Sequence, residues 1–165
     1  MTEILVILGG VIRDYMELDD SRVAQYNQNF TKPKDDKIFV ILSQGTSRVV
    51  SNIFNFDDDT NEEVMTSTLY TPVNVEISSK NEDAKLRAIE VIMAIDSTIG
   101  QRAAEDNQIR FFRNGDIADI SAVDGGSGLH RLQIPIIISH VETKRRAIIP
   151  IDRYQPTTTE VENNG

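Results

Sequence analysis

The N-terminal segment of the chain carries hydrophobic residues at intervals of three and four. They are Ile4, Leu5, Leu8, Val11, Ile12 and Tyr15. This spacing predicts an amphipathic helix that Thr2 can cap. Gly9 and Gly10 weaken the prediction, because each glycine costs about 1 kcal/mol relative to alanine inside a helix. A buried strand over residues 4–8 is the alternative, and we favour the helix.

A second helix is predicted over residues 82–99, capped by Ser79 or Asn81. Its hydrophobic face is predicted to consist of Ala88, Ile89, Ile92, Ile95 and Ile99. Gly100 is expected to end this helix, and residues 101–108 to form a polar loop or a short extra turn. A shorter helical turn is predicted at residues 23–26.

Strands are predicted between the two helices. Residues 37–42 are an apolar run rich in branched side chains, which is typical of a central strand. Residues 46–56 and 64–78 are predicted to pair as a long hairpin whose tip, residues 57–63, is acidic and solvated. Pro72 indicates an edge or a bend in the second of these strands.

Further short strands are predicted after the second helix. Residues 109–112 and 117–123 would form a tight hairpin at Asn114-Gly115. Residues 129–141 follow as a strand, with a turn at 142–146 and a last strand at 147–151. The element order predicts one α+β domain over residues 1–154, a mostly antiparallel sheet with two helices packed on one face and a long protruding hairpin. Residues 155–165 read as a disordered tail.

Composition narrows the possible functions without naming one. The 165 residues include 17 Lys+Arg and 26 Asp+Glu, a net charge of −9, which argues against tight binding to a nucleic acid backbone. The absence of cysteine excludes disulfide scaffolds, Cys-ligated zinc and thiol catalysis. No segment approaches the roughly 20 apolar residues of a membrane-spanning helix. The apolar start lacks the basic flank of a signal peptide, so we expect a protein that folds or assembles inside a cell.

No residue pattern assembles a catalytic or metal site. His130 and His140 are ten positions apart in one predicted strand, about 33 Å if extended, which is too far to share a metal ion. The acidic tip places Glu62 where a calcium loop needs glycine. The glycine-rich residues 125–128 lack the further glycine of a dinucleotide fingerprint, since position 131 is Arg131, and are predicted to be a flexible connector. We expect no metal and no cofactor.

The hairpin and one basic cluster supply the candidate interaction residues. Lys144, Arg145 and Arg146 are expected to meet an acidic patch on a partner subunit rather than a phosphate. The acidic tip is a natural complement in a head-to-tail contact between identical subunits. The full predicted interface consists of Val49, Ile53, Phe54, Phe56, Asp57, Asp58, Asp59, Lys144, Arg145 and Arg146.

The sequence RVAQYNQN at residues 22–29, followed by Lys32-Pro33 and the strand at 37–42, resembles the start of bacteriophage neck or tail terminator proteins. Those proteins commonly carry an NQN…P segment just before their first core strand. The resemblance continues through the hairpin and the second helix to the strand at residues 131–138, and covers roughly residues 2–154. It departs at residues 30–33, which are less proline-rich than expected for the family.

The resemblance implies a structural protein of the virion, assembled in the host cytoplasm. Such proteins form a hexameric ring that caps the tail tube and joins it to the neck or head-completion proteins. DNA passes through the lumen without sequence-specific binding, and no membrane is involved. Two other hypotheses stay open: a small-ligand-binding or regulatory α+β domain with a closed apolar pocket, and an enzyme that uses exposed carboxylates, such as Asp116 or Asp119 beside Asp124.

Overall fold

A computed structural model describes residues 3–26, 33–121 and 128–148, which form three α-helices and one mixed sheet of seven strands. The helices are α1 (Glu3–Tyr15), α2 (Asp83–Asp96) and α3 (Thr98–Asp106), with a 3₁₀ turn at Asp20–Arg22. The strands are β1 (Val23–Gln25), β2 (Phe39–Gln44), β3 (Arg48–Asp57), β4 (Glu62–Ser79), β5 (Arg110–Arg113), β6 (Ala118–Asp119) and β7 (His130–Ala147). The predicted α+β class is confirmed. The predicted tail, residues 155–165, lies outside the described residues.

The sheet is organised around two long antiparallel strands. β4 and β7, each of 18 residues, pair along their whole length, from Glu62 opposite Ala147 to Ser79 opposite His130. The strand order is β1-β2-β4-β7-β5, with β3 also paired to β4 and β6 also paired to β7. The β1–β2 pair is parallel and the other pairs are antiparallel. None of the helices in the described residues is long and apolar enough to cross a membrane.

Two prolines lie inside the long strands. A residue in an antiparallel ladder directs its N–H and its C=O to the same neighbouring strand. The carbonyl of Pro72 accepts a hydrogen bond from the N–H of Gly45 at 2.8 Å, and that of Pro135 accepts one from Asn114 at 3.1 Å. Pro72 of β4 therefore lies opposite the gap between β2 and β3, which pair with β4 one after the other. Pro135 of β7 lies opposite the gap between β5 and β6, which both pair with β7. Neither costs the β4–β7 ladder a hydrogen bond.

The hydrophobic core combines α1 and α2 with alternate positions of β2, β4 and β7. Its most buried strand residues are Val40, Leu42, Val73, Val75, Ile77, Ile134, Ile136 and Ile138, packed with Leu8, Ile12 and Val91 from the helices. At Gly9, an added Cβ would lie 3.2 Å from Cδ1 of Leu42, so α1 approaches the sheet closely there. The predicted first helix is confirmed, and Gly9 within it allows this close packing against Leu42.

Three predictions about strands are wrong, in each case because a partner strand distant in sequence decides the structure. Residues 23–25 are strand β1 rather than a helical turn, since they pair with β2. β5 and β6 do not form a hairpin at Asn114-Gly115, because both pair with β7 instead. Residues 142–146 are not a turn, since β7 continues along β4 to Ala147.

The junction after α2 also differs from the prediction. α2 ends at Asp96, and the side chain of Ser97 accepts a hydrogen bond from the N–H of Gly100 at 3.2 Å, which caps a third helix. Gly100 is buried in the first turn of α3, where an added Cβ would lie 2.6 Å from the carbonyl oxygen of Ile95. The glycine therefore permits a tight contact between two helices instead of simply ending one.

The buried face of α2 is rotated relative to the predicted face. It consists of Ala84, Ala88, Val91, Ala94 and Ile95. Ile89 and Ile99, which we predicted to be in the core, are exposed. Small alanine side chains let the helix approach the sheet closely, and the larger aliphatic residues at other positions are left outside the core.

Replacing Gly100 tests the tight contact between α2 and α3. We expect Gly100→Ala to lower the free energy of unfolding by about 1–3 kcal/mol, because the new Cβ meets backbone atoms rather than a flexible side chain. Gly10→Ala is the matched control in α1, where an added Cβ meets no atom within 4 Å. We expect it to raise stability by about 0.5–1 kcal/mol. Urea denaturation followed by circular dichroism measures the free energy of unfolding of both variants. Equal changes in the two variants would contradict the tight contact at Gly100.

An ion pair joins the 3₁₀ turn to the chain ahead of β2. Arg22 donates hydrogen bonds to both carboxylate oxygens of Asp35. The hydrogen bond from Arg22 lowers the pKa of Asp35 from 3.8 to about 2. Because this pKa is lower in the folded chain, the stabilisation is present above the pKa of the unfolded chain and is lost as the pH falls through the folded value.

Acid unfolding of Asp35→Asn tests this ion pair. The variant should show a smaller loss of thermal stability between about pH 4 and pH 2 than the original chain, because the carboxylate that takes up the proton is gone. Asp58→Asn, which removes an exposed acid from the tip, is the control and should leave that slope unchanged. Identical slopes for the original chain and Asp35→Asn would show that the pair contributes nothing.

Candidate interaction surface

One end of the sheet lies outside the hydrophobic core. It consists of β3, residues 62–70 of β4 and residues 139–147 of β7, and we call it the distal sheet. Nine of the ten residues of β3 are exposed, as is β7 from residue 141 onward. Among the described residues, no member of the core cluster belongs to the distal sheet. This end of the sheet is therefore held by main-chain pairing and not by core packing.

Side chains of the distal sheet alternate between two faces, and residues paired across strands share a face. On the inner face, Phe54 pairs with Met65 and Met65 with Lys144. The next row on that face contains Phe56, Glu63 and Arg146. The inner face continues the positions of β4 and β7 that carry the core. The outer face bears Ile53, Val64, Val141 and Arg145.

The hydrophobic residues predicted from sequence to form an interface are exposed in the single chain. Val49, Ile53, Phe54 and Phe56 are between 49% and 58% exposed. Large apolar side chains exposed next to one another are typical of a contact surface. Val50 of β3, Met65 of β4 and Val141 of β7 are also exposed in the distal sheet, and the sequence reasoning missed them.

The acidic tip is a compact turn closed by its first residue. Oδ1 of Asp57 accepts hydrogen bonds from the N–H groups of Asp59 at 3.2 Å and Thr60 at 3.3 Å. The bond from Thr60 is the main cause that lowers the pKa of Asp57. Asp58 and Asp59 are exposed. Within the described ranges no group of three potential metal ligands occurs.

The basic cluster lies beside the acidic tip of the same chain. Nη1 of Arg145 is 3.3 Å from Oδ2 of Asp57 and 3.3 Å from Oε2 of Glu62. This differs from the expected contact with a partner subunit, because the antiparallel register brings Arg145 and the tip together on one face. Lys144 and Arg146 project from the opposite face and make no ion pair with any residue that the structure describes.

A buried hydroxyl group marks the boundary between the core and the distal sheet. Oγ1 of Thr71, which is fully buried, lies 2.6 Å from Oγ of Ser47 and 3.0 Å from Nε2 of His140. Ser47 precedes β3, and His140 belongs to β7. One side chain of β4 therefore ties the start of β3 and the neighbouring strand together. His130 and His140 lie in the same strand, as predicted.

A cleft of about 760 Å³ lies between α3 and the strands near this boundary. Its walls include Gln101, Tyr70, Phe112, Arg110 and His140. The rings of Tyr70 and Phe112 have centroids 5.9 Å apart. The cleft is open to solvent and has polar as well as apolar walls, whereas the small-ligand hypothesis predicts a closed apolar pocket.

The enzyme hypothesis rests on exposed carboxylates, of which the structure describes Asp116 and Asp119. Asp116 and Asp119 are exposed. Asp119 accepts hydrogen bonds from the hydroxyl and the N–H of Ser121, which lower its pKa, and its carboxylate lies 3.6 Å from Nζ of Lys85. These contacts hold the chain after β6. Asp124 lies outside the described residues.

Comparison with known proteins assigns no function to the chain. The chain matches no protein-family model and no curated protein. Of the segment that carries the resemblance to terminator proteins, residues 27–32 lie outside the described residues. Arg22, the first residue of that segment, forms an ion pair with Asp35.

Replacing Thr71 tests how the distal sheet is attached to the core. We expect Thr71→Val to lower the free energy of unfolding by about 1–3 kcal/mol, because a buried hydrogen-bonding position loses its hydroxyl and its partners are left unpaired. Thr71→Ser keeps the hydroxyl and should recover the hydrogen-bond contribution. Urea denaturation measures both variants. A loss of stability in Thr71→Ser without a loss in Thr71→Val would mean that the methyl group of Thr71, and not its hydroxyl, stabilises the boundary.

Proposed function

We propose that this protein is a bacteriophage tail or neck terminator, a structural virion protein. In this proposal, identical subunits form a hexameric ring that caps the tail tube and joins it to the neck or head-completion proteins. The resemblance of residues 22–42 to the start of such proteins names the family. The observation that carries the proposal is the exposure of large apolar side chains along β3, because a neighbouring subunit would cover them.

The arrangement of the fold supports an assembly role. We infer that the helices lie on one face of the sheet and that the β3–β4 hairpin protrudes from the domain towards a neighbour. The boundary at Thr71 separates this hairpin from the core. A subunit built in this way can keep its own core intact while its distal sheet packs elsewhere.

The charge of the chain suits a ring through which DNA moves. With a net charge of −9, a subunit attracts the phosphate backbone weakly, since tight binding needs clustered Lys and Arg. The basic residue Arg145 is partly neutralised by Asp57 and Glu62. A lumen of such subunits would let the genome pass without holding it.

The alternative proposal, a small-ligand-binding or regulatory domain, is favoured by the cleft beside α3. Tyr70 and Phe112 offer aromatic surface there, and Arg110 offers a cation. A ligand of this cleft would raise the melting temperature of the purified protein, since binding to the folded state alone stabilises it.

The assembly proposal is tested by the substitution Phe54→Asp. Phe54 is 58% exposed, so the fold should survive, while a charge buried in a subunit contact should prevent the ring from forming. Val6→Asp is the matched control, since Val6 is 57% exposed on α1. Light scattering gives the mass of each variant, circular dichroism checks its fold, and electron microscopy shows rings.

We expect rings from the original chain and from Val6→Asp, and folded monomers from Phe54→Asp. The measurements are repeated with co-expressed tail tube protein, because a ring can need the tube as a template. An original chain that stays monomeric under both conditions would refute the assembly proposal. Unfolding of Phe54→Asp would instead place Phe54 in the core of the single chain.

A further inference from the structure

The solvent side of α2 carries an apolar stripe. Leu86, Ile89 and Met93 are 71%, 51% and 49% exposed, and their spacing of three and four places them along one line of the helix. The opposite side of α2 is buried through Ala84, Ala88 and Val91. The stripe therefore points away from the sheet to which α2 belongs, and packing within the described part of the chain leaves it uncovered.

Acidic residues surround this stripe. Glu82 lies at its N-terminal end, one turn before Leu86, and Glu90 and Asp83 lie along one side of it. Two cations lie nearby: Nζ of Lys85 is 3.6 Å from the carboxylate of Asp119, and Arg87 donates hydrogen bonds to the carboxylate of Glu90. Glu82 makes no ion pair with any of the residues described. The stripe is thus an apolar surface with an acidic border.

The inner face of the distal sheet has the complementary character. Phe54, Phe56 and Met65 supply exposed apolar side chains in two adjacent rows. Lys144 and Arg146 end the same two rows, and both cations lack an ion pair within the described residues. In the second row, Glu63 of β4 lies between Phe56 and Arg146. Both cations belong to β7, so they border the apolar surface on one side.

The two surfaces are also of comparable length. Leu86 and Met93 are about 10 Å apart along the helix axis, and Phe54 and Phe56 are about 7 Å apart along β3. The inner face continues the side of the sheet that α1 and α2 cover further along β4 and β7. Among the described residues, no helix covers the inner face at Phe54, Phe56 and Met65, which are exposed, and α2 carries a second apolar side.

We propose that the inner face of the distal sheet of one copy packs on the α2 stripe of the next copy. This inference rests on the proposed assembly and names the two surfaces that make its contact. Lys144 and Arg146 would then face the acidic border at Glu82, whereas Glu90 is already paired with Arg87 of its own chain. Because the two surfaces differ, the contact is head-to-tail, and it can repeat around a closed ring.

Cysteine cross-linking tests the contact, because the chain has no cysteine of its own. Single variants Phe54→Cys and Ile89→Cys are mixed and oxidised gently. Ile53→Cys is the matched control, since Ile53 is the adjacent residue, is 55% exposed and lies on the outer face. We expect Phe54→Cys with Ile89→Cys to give at least about tenfold more cross-linked dimer than Ile53→Cys with Ile89→Cys, because docking raises the effective thiol concentration.

Each alternative result overturns the inference in a different way. Strong self-cross-linking of Phe54→Cys would indicate a two-fold contact between distal sheets. Equal yields with Ile53→Cys and Phe54→Cys would mean that the inner face is not the one that docks. Absence of the Phe54–Ile89 product, while the cysteine-free chain forms rings, would overturn this contact and leave the assembly proposal standing.

A second experiment does not depend on disulfide chemistry. Phe54→Asp and Ile89→Asp each damage one of the two surfaces, so each variant alone should remain monomeric. Mixed together, they retain one intact pair of surfaces, and we expect a dimer by light scattering. Phe54→Asp mixed with Phe56→Asp is the control, since both variants damage the inner face and their mixture should stay monomeric. A mixture that stays monomeric, with both variants folded, would contradict the head-to-tail contact.

Discussion

The structure depends on the antiparallel ladder between β4 and β7. Each strand has 18 residues, about 60 Å at the usual rise of a strand. The helices that form the core with them, α1 and α2, have 13 and 14 residues, about 20 Å each. Two helices of this length do not cover such a ladder from end to end. A single chain therefore buries one end of the ladder and exposes the other.

The remaining strands adapt to this ladder. β2 and β3 share one side of β4, and β5 and β6 share one side of β7, with a proline at each place where the neighbour changes. The buried hydroxyl of Thr71 joins three segments at the boundary of the exposed end. The two prolines and Thr71 fix the position of the distal sheet, while many of its side chains remain exposed. Together with the α2 stripe, they give one chain two different apolar surfaces, which is the requirement for head-to-tail assembly.

Much of this arrangement could be predicted from local patterns. The spacing of Leu8 and Ile12 identified α1, and alternation identified the strands of the β3–β4 pair. The exposure of β3 residues such as Phe54 followed from a strand too polar overall to lie in a core. The α2 stripe was missed, because residues 84–95 are apolar on more than one side, and the helical period alone does not choose between sides.

The sequence by itself determined the helices α1 and α2, the strands β2, β3 and β4, the acidic turn at Asp57 and the apolar residues of β3, since these follow from side-chain period and turn chemistry over a few residues. Tertiary structure alone decided where β5 and β6 pair, that β7 continues through Lys144 and Arg146, and which side of α2 is buried. It also decided that Arg145 meets Asp57 within one chain. These features depend on pairing between segments up to 88 residues apart, and a local pattern carries no information about which distant strand supplies the partner.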